Sequence, residues 1–168
     1  MRTKSFFIII FLISIVQISS GTSLASTDTK SLIIKAQIDK VAKLIVDSNT
    51  VTFPNMDPDE MKQVPALQND IKVTVKARTG RSSPVNLHII AEGDLVSGVD
   101  TIPAQNVTWQ AQGAGFMGGT LDKTAAQVAG SWMGSGIRQG VFRYFLNNNW
   151  NYQKGDYQVT VTYTLTTP

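Results

Sequence analysis

Residues 157–166 alternate without a break, with Tyr157, Val159, Val161, Tyr163 and Leu165 on one side and Gln158, Thr160, Thr162, Thr164 and Thr166 on the other. A period of two is how a half-buried strand is written, and it predicts a final strand that closes a sheet. The same signal recurs upstream. Ile71, Val73, Val75 and Ala77 alternate with Lys72, Thr74, Lys76 and Arg78. After the turn 79–84, Val85, Leu87, Ile89 and Ala91 alternate with Asn86, His88, Ile90 and Glu92, which predicts a return strand paired with the previous one as a hairpin. Val107, Trp109 and Ala111 share a face of a further strand, placing Trp109 in the core, and Val141 to Leu146 sets Phe142, Tyr144 and Leu146 against Val141, Arg143 and Phe145.

Residues 32–46 admit two readings. Ile34, Ile38, Val41 and Ile45 make a helical stripe, while Leu32, Ile34, Ala36 and Ile38, then Ala42, Leu44 and Val46, make two short strand faces. The high β-branched content and the lack of a capping signal favour two strands. The stretch from Pro54 to Asp70, with three prolines and four acids, reads as loop. Residues 113–140 are rich in glycine and alanine and predict two short strands among loops. The pattern predicts an all-β fold, a single Ig-like β-sandwich of about seven to nine short antiparallel strands.

The first residues change the picture of where that fold operates. Arg2 and Lys4 precede an apolar run from Phe6 to Val16, a polar stretch, and the small residues Ser23-Leu24-Ala25. This is the order of a secretory signal peptide, 1–25, with cleavage after Ala25 and a secreted domain over 26–168. The run is short of the roughly 20 apolar residues that span a bilayer, so no integral membrane span is expected after cleavage. Cleavage removes two cations and leaves 13 Lys and Arg against 12 Asp and Glu. A chain so near neutrality lacks the electrostatic footprint of nucleic-acid binding. It contains no cysteine, which removes thiolate metal sites, cysteine nucleophiles and a lipoprotein anchor.

The chain carries few groups arranged for chemistry. Gly113-Ala114-Gly115-Phe116-Met117-Gly118 matches GxGxxG in letters, but a phosphate cradle needs a preceding strand, a following helix and a βαβ unit, so it reads as a glycine-rich turn. His88 is the only histidine, which leaves zinc or copper a poor ligand set. The acids at 57–70 lack the ligand spacing and glycine of an EF-hand loop. Gly130-Ser131-Trp132-Met133-Gly134 makes no nucleophile elbow, and no pair of carboxylates visibly converges. No catalytic residue, metal site or cofactor is expected. Asn106-Val107-Thr108 fits a glycosylation sequon within a predicted strand. Trp150 with Tyr152, flanked by asparagines, and Trp132 among glycines are the candidate binding surface, since an aromatic in a connection either covers the end of a core or offers a flat face to a sugar or partner.

The ending Tyr157-x-x-x-Val161-Thr162-Tyr163-Thr164-Leu165 resembles the distal motif of WxL-type bacterial surface domains, with Tyr163 where tryptophan usually stands. Its Gly-x-Tyr start and Thr/Val strand resemble the terminal strand of small fimbrial or spore-coat-type secreted sandwich proteins. Gly93-Asp94-Leu95, Ile102-Pro103, Thr108-Trp109 and Gly134-Ser135-Gly136 resemble exported bacterial proteins of this general size. Trp109-Gln110-Ala111 lacks the leucine of a first WxL motif. The resemblance implies a fimbrial-type sandwich at the cell surface or in the periplasm, with cell-wall or envelope polymer, or other surface-protein subunits, as partners. A secreted non-catalytic structural or adhesive role is the leading expectation, with a carbohydrate-binding module and a secreted hydrolase as alternatives.

Overall fold

A computed structural model describes residues 28–168, and the expected signal peptide with its cleavage point lies outside them. By internal contacts the chain divides into Met1–Ala36 and Gln37–Pro168. In the first unit, residues 28–36 have no regular secondary structure and leave Leu32, Ile33 and Ile34 more than four-fifths or four-fifths exposed. Of the two strands read into 32–46, only the second forms.

The second unit contains β1 (Val41–Val46), β2 (Gln63–Pro65), β3 (Ile71–Arg78), β4 (Pro84–Ala91), β5 (Leu95–Ser97) and β6 (Asp100–Ile102). A single 3-10 turn (Ala104–Asn106) leads to β7 (Val107–Gln112), β8 (Gly119–Thr120), β9 (Gln127–Met133), β10 (Gly136–Asn147) and β11 (Val161–Thr166). All pairings are antiparallel. Six strands form one sheet in the order β1-β3-β10-β7-β8, with β2 also paired to β10; three form β11-β4-β9; and β5-β6 is a separate ribbon. Eleven strands form rather than the seven to nine expected, because β2, β5 and β6 are three-residue pieces within stretches that read as connections, and the architecture is all-β and sandwich-like.

Alternation decides which faces meet. Val73 and Val75 of β3 and Phe142 of β10 point into the core from the large sheet, and Leu87 and Ile89 of β4 meet them from the small one; all five are essentially unexposed. Burial of such a side chain contributes about 1.5–3 kcal/mol, so the inner faces fix the register of both sheets. Trp109 is buried as its strand face predicts, and its indole N–H donates to the Met117 carbonyl at 2.8 Å. Among the described residues, the buried side chains that carry a polar atom are the aromatic Trp109, Trp132 and Tyr144, and each has a hydrogen-bond partner.

The expected hairpin between β3 and β4 does not form. β3 pairs with β1 and β10, whereas β4 pairs with β11 and β9, so the chain crosses from one sheet to the other between them. Two strands with one apolar face each satisfy the same pattern whether they lie side by side or face each other, and sheets packed about 10 Å apart are within reach of the connection 79–83. β9 and β10 cross in the same way through Gly134-Ser135, with Gly134 at φ 70, a value that favours glycine. Ser135 ties the two crossings together: its hydroxyl donates to the Thr79 carbonyl at 2.8 Å and accepts from the Thr79 N–H at 2.9 Å. Gly134 N–H also reaches the Ser83 carbonyl at 2.9 Å.

These crossings define one end of the molecule, the crossover end. β1 begins there and β11 finishes there, because Val41 pairs with Arg78 and Thr166 with Asn86. The opposite, loop end gathers the connections 47–70, 92–106, 121–126 and 148–160. The closing strand is shorter than the alternation predicts: 157–160 contributes the bridge between Gln158 and Val96 and a bond from the Glu92 N–H to the Thr160 carbonyl, and β11 is an edge strand paired with β4 alone.

Candidate functional site

The exposed aromatic surface lies at the loop end, where the Asn-rich connection after β10 folds against the acidic connection before β3. Asn148 organises the contact. Its side-chain amide donates to the carbonyls of Met56 at 2.8 Å and Met61 at 3.3 Å, and its backbone N–H reaches the Lys62 carbonyl at 2.8 Å. The acidic segment is itself a turn closed on Asp57, whose carboxylate accepts from the Asp59 N–H at 2.8 Å and whose carbonyl accepts from Met61 at 2.8 Å. Asp and Pro at such positions are ordinary turn chemistry. Neither segment alone would hold this shape.

Trp150 sits on the tip of that assembly. Asn149 makes the tight turn, its side-chain carbonyl accepting from the Asn151 N–H at 2.9 Å. The Trp150 indole is 65% exposed, and its N–H donates to the Asp59 carboxylate at 3.1 Å. One edge of the ring is therefore fixed by a carboxylate while its faces meet water, the arrangement by which an aromatic offers stacking area with little loss of side-chain freedom. Tyr152 stands behind it, partly buried against the core, its hydroxyl donating to the Asn147 carbonyl at 2.9 Å. Burial raises its phenol pKa. Tyr152 buttresses the turn; Trp150 presents the surface.

Trp132 is elsewhere and differently used. It is 9% exposed, packed edge-on to Phe116 with ring centres 4.7 Å apart, and its indole N–H donates to the Ala114 carbonyl at 2.8 Å. The glycine-rich turn after β7 wraps this indole: at Gly115, φ is 79, and a side chain there would run into the Trp132 ring. GxGxxG is thus a lid over a core tryptophan, and Trp132 joins neither Trp150 nor Tyr152.

A shallow cleft near the loop end is lined by Pro65, Ala66, Asn69, Asp70, Arg143, Tyr144 and Phe145. Arg143 Nε donates to Asp70 at 2.6 Å, which holds the Asp70 carboxyl below and the Arg143 guanidinium above their ordinary pKa values. Across the loop end, Asp94 accepts from Lys123 at 2.5 Å and from the Ala104 N–H at 3.0 Å; both bonds favour its charged form and lower its pKa. Asp122 is lowered in the same direction, first by the Thr124 N–H. These carboxylates hold loops in place rather than converge on a common point. Among the described residues no three His, Asp or Glu side chains gather as a metal site would require. His88 lies mid-strand, opposite Thr164 on β11 and Val128 on β9.

The sequence points to Trp150 and Tyr152 with their flanking asparagines, Asn148 among them, but not to Asp59, which completes the surface. Asp59 is 91 positions from Trp150, and no local pattern links them. The only advance signal was that both segments carry turn residues. No protein-family profile matches the chain and no curated protein matches it significantly, so it stands as an all-β protein of antiparallel sheets with no family assigned.

Proposed function

We propose that this chain is a secreted, non-catalytic structural or adhesive protein of the bacterial cell envelope, an Ig-like or fimbrial-type sandwich acting as a subunit of a surface assembly. The observation that carries this reading is the pair of open sheet edges: β1 and β11, six residues each, are hydrogen-bonded on one side only. An unpaired edge is a template for strand addition by another chain, and natural sheets blunt it with proline or charge where pairing is unwanted. β11 carries neither, reading Val-Thr-Tyr-Thr-Leu-Thr. The signal-peptide pattern and the WxL-like and fimbrial resemblances point the same way. Partners are other surface subunits or envelope polymer. Immunodetection in fractions of the source cells tests the reading: protein in the envelope fraction is expected, and protein retained in the cytosol overturns it.

A second reading, a carbohydrate-binding module, is favoured by one observation, the exposed Trp150 ring anchored by Asp59. A flat aromatic face beside a carboxylate and amides suits a sugar's apolar face and hydroxyl rim. A glycan array gives the test: binding that Trp150→Ala abolishes is expected, and silence, or binding that survives the substitution, overturns it.

A further inference from the structure

The charges of this protein are segregated along its strands. The connections at the loop end carry ten of the twelve acids: five in 47–70, three in 92–106, one in 121–126 and one in 148–160. Five cations lie with them, Lys62, Lys72, Lys123, Arg143 and Lys154, which leaves that end with five negative charges in excess. The crossover end is the reverse. Lys43, Lys76, Arg78, Arg81 and Arg138 cluster there, while Asp39 and Lys40 before β1 cancel each other. No acid occurs in 71–91 or 127–147.

Two features show that this is more than a wet surface. Lys43 on β1 and Lys76 on β3 are direct cross-strand partners on the outer face of the large sheet. Like charges opposite one another cost stability within one molecule, so the pair is better accommodated with an anionic surface over it. Each pole also mixes charge with exposed apolar area. Met133 and Ile137, 59% and 65% exposed, lie among the cations, and Leu67 and Trp150, 62% and 65% exposed, among the acids. An apolar centre with a charged rim is how an interface is composed, and Trp is the residue most often found at its energetic centre.

β3 and β4 each run from one pole to the other, eight residues or about 26 Å at the rise of a strand, and β10 with twelve residues is longer still. The screening length is about 10 Å at 0.1 M salt, so the poles scarcely feel one another within a molecule and are free to attract the opposite pole of another. We propose that copies of this chain associate head to tail, the acidic loop end with Trp150 at its centre docking on the basic crossover end of the next copy around Lys43, Lys76 and Ile137. The contact is heterologous, so it propagates into a ring or an open filament rather than stopping at a two-fold dimer. This rests on the surface-assembly reading and names its partner as the chain itself.

Sedimentation velocity of the purified protein, produced with its own leader, gives the test. A concentration-dependent series of oligomers is expected at about 20 mM salt, with the apparent affinity falling at least about tenfold by about 500 mM. Trp150→Ala weakens the series. The neutralised variants Lys43→Gln/Lys76→Gln and Asp57→Asn/Asp59→Asn each fail to extend, and mixing the two yields a one-to-one dimer and nothing longer, because one good pole remains on each. A monomer at low salt, association that strengthens with salt, or variants that assemble like the parent overturns the proposal. So does binding of an anionic polymer by the basic pole without self-association. A chain that stays monomeric yet fractionates with the envelope overturns the head-to-tail contact and keeps the envelope reading; a salt-sensitive series from a protein retained in the cytosol does the opposite.

Discussion

The phenol of Tyr144, on the central strand of the six-stranded sheet, meets the phenol of Tyr163, on the edge strand of the three-stranded sheet, so that one hydroxyl-to-hydroxyl bond crosses the core. Tyr144 is nearly inaccessible and its ring lies 6.4 Å from Trp109, while the Tyr163 ring stacks on Phe142 at the same separation. Each oxygen is the other's partner in a place water does not easily reach.

Removing one hydroxyl should therefore cost more than removing both. Tyr163→Phe leaves the Tyr144 oxygen buried without a partner, a loss of about 1–3 kcal/mol, whereas the double Phe variant exchanges the bond for apolar contact and should lie close to the parent. Urea unfolding of both single variants and the double variant measures this. Additive losses would show that the two hydroxyls do not act as a pair.

The same pair sets an alkaline limit. Burial raises both phenol pKa values, most strongly that of Tyr144. A phenol raised in the folded state stays protonated after its unfolded counterpart has ionised, so its stabilisation is complete below the ordinary value of about 10 and is lost as pH climbs above it. Melting temperature should fall on the alkaline side of pH about 10, and the double Phe variant should fall less steeply over the same range.

Tyr157 closes the connection before β11 as a tyrosine corner, its hydroxyl donating to the Gln153 carbonyl at 2.9 Å. Tyr157→Phe keeps the ring and loses that bond, which predicts a loss of about 1 kcal/mol. A thermal melt superimposable on the parent's would mean the corner contributes nothing.

Gly115→Ala should be more damaging. The residue combines φ 79 with a backbone pressed against the Trp132 indole, so an added methyl meets both backbone strain and overpacking. A loss of about 2 kcal/mol or more is expected. Tryptophan emission should shift to the red as Trp132 is lifted toward water, a readout that Gly93→Ala, where an added methyl meets nothing within 4 Å, should leave unchanged.

How far the chain could be read depended on whether a residue's partner was local. The inward faces of β3, β4 and β7 follow from periodicity, because a strand with one buried face needs nothing else to declare itself. Val73, Leu87 and Trp109 all point as their patterns require. Which strands pair is another matter: β3 and β4 carry matching alternations yet belong to different sheets, since the pattern records the core and not the neighbour. At 32–38 the alternation has strand character but no strand forms, so periodicity was not sufficient there. β10 begins five residues before the reading from Val141, because Gly136 and Gly140 interrupt the apolar signal in a strand held by its neighbours on both sides. For the surface, Trp150 and Tyr152 are legible as aromatics in an Asn-rich turn, but the carboxylate that orients the indole comes from another connection, and the glycine-rich segment that covers Trp132 is remote from it in sequence.

The two crossings tied by Ser135 carry a mechanical corollary. Because β1 starts and β11 finishes at the end where the crossings lie, a force applied through both would peel each edge strand from its single neighbour, breaking ladder bonds one after another instead of loading them all at once. Resistance to such pulling would be low until the peel reached β3 and β4, whose crossing the Thr79–Ser135 bonds tie to that of β9 and β10. A molecule tethered at that end would turn its loop end, and the exposed Trp150 with it, away from the tether.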